Sequence, residues 1–424
     1  MKYIKWAEPY TRPTGQVLRE EIASIIEDVR TNGDKAVLSY CEKLDQSTQE
    51  GLRVERSKIE RAYSLTPATL LEDIKFCARN VEEFAKRQME TFHDMPETEI
   101  APGVFIGTRI IPMDSCACYV PGGTYPLFSS ALMLAIPARI AGVKRICACS
   151  PVVMGTDAVH PHTLAAMDIA GVTEIYAVGG AQAIAAFSYG TESIRPVDLI
   201  VGTGSQFVIE AKRQCFGQVG VDYLAGPSDM MVIADETADP NLIAADLVAQ
   251  SEHSPMAKGV LITTSEELCQ QVIREIDRVL QVLPTAELAR AAWQNYGQVI
   301  LVDSIEEAVD LANERAPECL ELQIQDPETY ISRFRNYGGM FIGNLAGVSI
   351  ADYASGINHN LPTVHGARYN SGTYVGTFLK VAPYQRLLPE GVRGIATVAI
   401  HMASAEGLFG HANSARLRLK KARS

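Results

Sequence analysis

No stretch of these 424 residues stays apolar for long enough to cross a bilayer. The most apolar one, residues 132–143, is broken by Pro137 and Arg139 and falls short of the roughly 20 residues a membrane helix needs. Residues 1–30 carry charge throughout and lack the apolar block of a secretory leader, so a cytoplasmic protein is expected. Positive charge is scarce: 38 Lys and Arg against 50 Asp and Glu leave a net charge of −12, which argues against a nucleic-acid partner. The one basic run, residues 416–423, reads as the solvated face of a last helix. Nothing matches C-x-x-C. The close pairs Cys116/Cys118 and Cys147/Cys149 lie two apart, on one face of a strand, a poor geometry for a disulfide; reduced, partly buried thiols are expected. Short repeats and low-complexity segments are missing too.

What is present is ordinary globular composition, 47% hydrophobic and 21% charged, in a chain longer than one core usually serves. Two core domains with appendages follow as the expectation. The first hundred residues read mostly as helix, with apolar residues at helical spacing over 15–32 and 67–89. From about Val104 the pattern changes. Short apolar runs at 143–149, 174–178, 198–201, 230–234, 259–263 and 298–302 alternate with helical segments, among them 241–250, 265–280 and 305–316. That alternation predicts an α/β fold with parallel sheet covered on both faces. Residues 344–380 are rich in Gly, Asn and Ser without periodicity, as functional loops often are. Residues 393–422 read as helix again.

Parallel sheets take ligands at the carboxyl ends of their strands. Two glycine turns are expected there, Gly179-Gly180-Ala181-Gln182 and Gly202-Thr203-Gly204-Ser205; a third, Tyr119 to Gly123, adds an aromatic ring. None completes G-x-G-x-x-G, because Phe207 stands at the third glycine position of the second turn. A dinucleotide is allowed by these turns, not shown. Nitrogen and oxygen donors of the kinds zinc accepts occur in three places: Gln250 and His253 at a helix end, Asp352 and His359 in the glycine-rich stretch, and Glu406 and His411 near the C-terminus. Each alone has a plain structural reading as helix surface, turn or cap.

Taken in order, Tyr119-Val120-Pro121-Gly122-Gly123, the run from Val178 to Ala185, Ala211-Lys212-Arg213-Gln214, Ala225-Gly226-Pro227-Ser228, Ala316-Pro317-Glu318 and Asn358-His359 ahead of Leu361-Pro362-Thr363 make the chain resemble the histidinol dehydrogenases along almost its whole length. The resemblance implies two Rossmann-like domains, at 119–227 on the NAD side and 228–375 on the zinc and catalytic side. It also implies a helical N-terminal segment, 1–118, packing mostly with 228–375, and a helical dimerisation tail, 376–424, in an intertwined homodimer. Zinc ligands are implied at Gln250, His253, Asp352 and His411, the last supplied by the partner subunit. NAD contacts are implied at Tyr119, Gln182 and Ser205, where the family usually has asparagine, and substrate contacts at Ser228, His359 and Glu406.

The most important departure from the pattern lies at the catalytic pair. Where the family carries a catalytic Glu-His pair, this chain has Glu318 and Cys319. In the family the histidine takes the alcohol proton as hydride leaves to NAD; the glutamate then activates water on the aldehyde, and a second hydride transfer gives the acid. A cysteine can act as a thiolate base, form a thiohemiacetal, or sit inert while Glu318 or His359 takes over the proton chemistry; an ordinary thiol ionises above neutral pH, which makes the inert reading the default. Residues 71–76, 283–286, 292–297, 367–369 and 375–380 are similar to the family branch that oxidises 2,3-dihydroxypropanesulfonate, with Arg368 or Lys380 available to an anionic group. The readings to be separated are therefore a zinc- and NAD-dependent dehydrogenase for such a diol, one for L-histidinol, a one-step enzyme that releases the aldehyde, and a silent zinc-binding homologue.

Overall fold

A computed structural model of the chain describes residues 1–7, 15–122 and 125–424. The N-terminal part is strand β1 (Lys2–Lys5) and helices α1 (Gln16–Asp45), α2 (Arg56–Leu65) and α3 (Ala68–Met89), followed by strands β2 (Met95–Ala101) and β3 (Val104–Pro112). The helical periodicity over 15–32 stops where α1 itself breaks, at Gly33 (φ 57°).

A first parallel sheet follows. It contains β4 (Ser115–Tyr119), β5 (Arg145–Ser150), β6 (Glu174–Ala177), β7 (Leu199–Val201) and β8 (Gly220–Val221), connected through helices α4 (Ser129–Ala141), α5 (Pro161–Ala170), α6 (Gly180–Tyr189) and α7 (Gln206–Cys215). The second sheet contains β9 (Asp229–Ala234), β10 (Lys258–Thr263), β11 (Gln298–Leu301), β12 (Cys319–Gln323) and β13 (Gly339–Ile342), with helices α8 (Pro240–Ser251), α9 (Glu266–Val282), α10 (Ala286–Tyr296) and α11 (Ile305–Arg315). Side by side the strands run β6-β5-β4-β7-β8 and β11-β10-β9-β12-β13, so both sheets have the order 3-2-1-4-5 counted from their own first strand. β1 extends the second sheet by pairing antiparallel with β11. This repeated topology leaves no short repeat in the sequence.

Apolar clusters cover both faces of each sheet, as the continuous apolar strands require. Cys116 and Cys118 point into one cluster of the first sheet, Cys147 and Cys149 into the other, and all nine cysteines are free thiols. The helices α1–α3 correct one expectation. They pack mainly on residues 119–227, with α1 on α6 and α7, α2 on α5, and α3 on α4, not on 228–375. The cause is their apolar stripes. Ile22, Ile25, Ile26 and Val29 complete the cluster of Ile184 and Phe187, while Ile74, Ala78 and Val81 join Leu132 and Met133. β1 and the contact of α3 with residues 351–355 tie this part to the second half of the chain.

Residues 344–380 hold no long element; they pass through a helical turn α12 (Val348–Ile350), a π-turn (Ala351–Ser355) and two short 3-10 turns. The chain then forms β14 (Leu379–Leu387), which pairs with β3 in the antiparallel order β14-β3-β2, and ends in helices α13 (Pro389–Ala405) and α14 (Phe409–Arg423). The two last helices pack chiefly on one another.

Candidate active site

Strands first and fourth in chain order lie side by side at the centre of each sheet, the switch point where doubly wound folds open a crevice. In the first sheet that point is the carboxyl end of β4 and β7. β4 ends at Tyr119, which is buried, and its phenol oxygen accepts a hydrogen bond from the Gly180 amide at 3.0 Å. Gly180 needs its freedom: φ is +69°, and a Cβ would lie 2.4 Å from Gln182 Oε1. Gln182, in the first turn of α6, is 1% exposed, and its Oε1 has no hydrogen-bond partner among the described residues. Ser205 precedes α7, is exposed and makes no side-chain cap bond. So Tyr119, Gln182 and Ser205 lie at or just past the carboxyl ends of β4, β6 and β7 in one sheet. Among the described residues Gln182 has an unpaired oxygen and Ser205 a free hydroxyl, which a ligand's polar atoms can meet. Gly123, the end of the third turn, is outside the described residues.

A buried ion pair fixes this edge. Lys212 and Asp222 are each 1% exposed at the side chain. Lys212 Nζ donates to the Gly202 carbonyl at 2.8 Å, and Asp222 Oδ2 accepts from the Gly202 amide at 2.7 Å. One carboxylate and one ammonium thus clamp both sides of a single peptide turn.

In the second sheet the candidate residues sit at the opposite, amino end. Ser228 immediately precedes β9, while Glu318 precedes β12 and Cys319 begins it. β9 and β12 pair in parallel, Met230 beside Cys319. The strand starts are cross-tied: the Glu318 amide donates to Asp229 Oδ1 at 2.8 Å, and the Asp229 amide donates to Glu318 Oε2 at 2.9 Å. Burial, reinforced by the Asp229 charge, pushes the Glu318 carboxyl well above its usual range, against the bond from Ser228. A cleft of about 40 Å³, room for a water or two, lies behind the pair and is lined by Asp229, Lys258, Arg315 and His365. Cys319 lies 4% exposed in the apolar cluster under α8, with its thiol pushed well above the ordinary value by burial and then by Glu318.

α8 starts cleanly, with Asp239 accepting from the Asn241 amide and Pro240 in its first turn. Its last turn carries Gln250, buried, and His253 follows just beyond the end, exposed. Asp352 is on the π-turn nearby; burial raises its carboxyl to about 6, and the charge of His253 acts the other way. Gln250, His253 and Asp352 are thus an amide, an imidazole and a carboxylate on neighbouring elements, a donor chemistry that suits zinc but is incomplete. No group of three or more His, Cys, Asp and Glu that could hold a metal occurs among the described residues. His411, on α14, and Glu406, at the end of α13, are exposed on the C-terminal hairpin, and the single chain does not bring them to the others.

His359 does reach the junction of the two sheets. Its Nδ1 lies 2.9 Å from the Asp352 carbonyl, which can only accept, so Nδ1 carries the proton and Nε2 presents a lone pair. Nε2 faces Ser130 Oγ at 3.4 Å, at the start of α4, and burial lowers the imidazole's pKa. Next to it, Asn358 Nδ2 donates to the Met133 carbonyl at 2.6 Å. These bonds join the carboxyl edge of the first sheet to the amino edge of the second. Arg368 instead donates to the Glu314 carbonyl, and Lys380 is exposed on β14, as structural roles require.

Sequence reasoning missed Asp229, Ser130 and a buried carboxyl pair beneath the site. Glu321 on β12 and Asp246 on α8 face each other; Glu321 also accepts from the Val348 amide at 3.0 Å and from Gln323 Nε2 at 3.0 Å. Burial and the Asp246 charge push Glu321 up to about 8, and burial raises Asp246 to about 6. The only signal in the sequence was a Glu and a Gln at inward positions of an otherwise apolar strand.

With this geometry in view, the comparison with known proteins is decisive. The family model described as histidinol dehydrogenase matches residues 11–419. The chain belongs to the histidinol dehydrogenase family. It is 43% identical over 410 residues to the histidinol dehydrogenase of Agrobacterium fabrum, covering 96% of this chain and 94% of that one. It is also 40% identical over 422 residues to a histidinol dehydrogenase homolog of Shouchella clausii, covering 99% of both. The crystal structure of histidinol dehydrogenase from Elizabethkingia anophelis superposes with a TM-score of 0.92 at 36% identity, covering 99% of this chain and 95% of that one.

Proposed function

We propose that this histidinol dehydrogenase family member is a zinc- and NAD-dependent dehydrogenase that oxidises a small polar primary alcohol through the aldehyde to the carboxylate. Its substrate is taken to be 2,3-dihydroxypropanesulfonate or a close relative, with L-histidinol as the alternative. The observation that supports the reading is the bond of His359 to Ser130 and to the Asp352 carbonyl, which ties the carboxyl edge of the first sheet to the loop that carries Asp352, beside a second sheet whose amino edge carries the buried Glu318. Gln250, His253 and Asp352 would hold the metal, with His411 of a second copy as the fourth ligand, and Tyr119, Gln182 and Ser205 would meet the dinucleotide. Bound zinc supplies charge that eases deprotonation of an alcohol O–H, and bound NAD accepts hydride.

The chain's own groups supply the rest. His359 offers Nε2 as a proton acceptor, its tautomer fixed by the Asp352 carbonyl. Glu318, buried and held above the usual carboxyl range, is placed to exchange a proton with water. Cys319 keeps its proton in an apolar setting and takes no part. That thiol also motivates the second reading, a silent homologue that retains metal and dimer. NADH formation by the zinc-loaded protein over a panel of alcohols containing both candidate substrates separates them. Turnover of one candidate with kcat/KM at least about a hundredfold above the other assigns the substrate; no NADH from any alcohol leaves the silent reading.

A further inference from the structure

β7 pairs with β4 as far as Val201, beside Cys118, and with β8 as far as Ile200, beside Val221. Gly202 is the first residue beyond both ladders, and it is buried. Left alone, its amide and carbonyl would lack partners, which destabilises a fold. Asp222, just past β8, takes the amide at 2.7 Å, and Lys212, in the last turn of α7, reaches the carbonyl at 2.8 Å. The Asp222 carboxylate is fixed in turn by the Tyr223 amide at 2.7 Å, and Asn370 Nδ2 donates to the Asp222 carbonyl at 3.3 Å.

On its other side the turn is pressed against Tyr119. A Cβ on Gly202 would lie 2.3 Å from the Tyr119 carbonyl oxygen, and one on Gly204 would lie 3.1 Å from Cε1 of the Tyr119 ring. The hydroxyl of that ring accepts from the Gly180 amide, and Gly180 lies against Gln182. Contacts therefore run unbroken from the Lys212–Asp222 pair through Gly202 and Tyr119 to Gly180 and Gln182. Past Gly202 the chain rises from the interior to the surface and reaches the exposed Ser205 three residues on.

Filling this space does not require an ion pair. Two charges lose their hydration on burial, and an apolar pair of similar volume often serves a fold as well or better. An apolar pair cannot hold both the amide and the carbonyl of one residue. We infer that Lys212 and Asp222 are positioning residues for the dinucleotide, fixing Gly202 so that Tyr119, Gln182 and Ser205 keep the spacing the cofactor needs. With side chains 1% exposed they act through the turn and not by touching the ligand, and the inference rests on the function proposed above.

The test compares the full-length, zinc-loaded protein with two double variants. Lys212→Met/Asp222→Leu, the apolar variant, removes both charges and both bonds to Gly202. Lys212→Gln/Asp222→Asn, the polar variant, removes the charges but keeps a donor for the carbonyl and an acceptor for the amide. The Kd for NADH is measured by fluorescence titration, beside zinc content and steady-state kinetics. In the apolar variant the Kd for NADH and the KM for NAD are expected to rise about tenfold or more, with zinc content and the KM for the alcohol unchanged. The polar variant is expected to stay within about threefold of wild type. Wild-type NADH affinity in the apolar variant overturns the inference, and so does an apolar variant that does not fold, because the two bonds then serve the fold. A polar variant that binds NADH no better than the apolar one also overturns it, since the hold on Gly202 would not be what matters. A wild type that binds no NADH overturns the proposed function itself, and this inference falls with it.

Discussion

At the scale of single residues, the proposed chemistry turns on two side chains. Glu318 is a carboxyl that burial and the neighbouring Asp229 hold above the usual carboxyl range, against the bonds from a backbone amide and from Ser228. Cys319 follows it in sequence but turns into the apolar cluster beneath α8. If the thiol is passive, Cys319→Ala should retain NADH formation within about threefold while losing roughly 1–2 kcal/mol of stability to the small cavity. Cys319→His should raise activity. A loss of a hundredfold or more in the alanine variant, measured as kcat/KM, would show that the thiol takes part. The candidate residues were named through the resemblance to the histidinol dehydrogenases; by chemical type alone the helix-end and glycine-rich donors had plain structural readings. Asp229 and Ser130 were not named, since a carboxylate before a strand and a serine at a helix start are everywhere and only their distances to Glu318 and His359 single them out.

Among the elements, the strands that position the site were the hardest to read. β5, β6, β7, β9, β10 and β11 fall within or close to the apolar runs, whereas β4 and β12, one switch-point strand of each sheet, were signalled only through their cysteines or not at all. β4 reads Ser-Cys-Ala-Cys-Tyr, without a β-branched residue, and β12 reads Cys-Leu-Glu-Leu-Gln, with buried polar side chains. The polar positions of β12 have a purpose in the packing. Glu321 ties β12 to α8 through Asp246 and to α12 through the Val348 amide, so one carboxyl pair braces the elements that carry Glu318, Gln250 and Asp352. Between its usual value of 4.5 and about 8, the folded chain holds a Glu321 proton that the unfolded chain releases. Stability from this group is therefore full at low pH and is lost as pH rises through about 8. Glu321→Gln, neutral at every pH, should lose most of the fall in unfolding temperature between about pH 5 and 9. An unchanged pH profile would place that dependence elsewhere.

For the whole molecule, the α/β class and the helical ends were readable from periodicity, but the arrangement of the two sheets was not. Their shared strand order, and the use of opposite edges, carboxyl in one and amino in the other, arise from long-range packing that no local pattern encodes. The hairpin of α13 and α14 exposes Val398, Met402, Phe409 and Leu417, each at least 60% accessible, on a part of the chain that also carries Glu406 and His411. Covering that face with a second copy and completing the metal set from it are the same expectation. Phe409→Asp should shift the protein from dimer to monomer in sedimentation and lower its zinc content together. Monomers that keep one zinc per chain would refute a shared site.

The most direct test of the oxidation itself is a single-turnover count of NADH formed per alcohol consumed, using zinc-loaded dimer and excess NAD. Two NADH per alcohol, with the carboxylate as product, is the result expected from His359 and Glu318 acting in turn. One NADH with free aldehyde would remove the water-activating role of Glu318, and none at all would contradict the assignment of this site as a dehydrogenase.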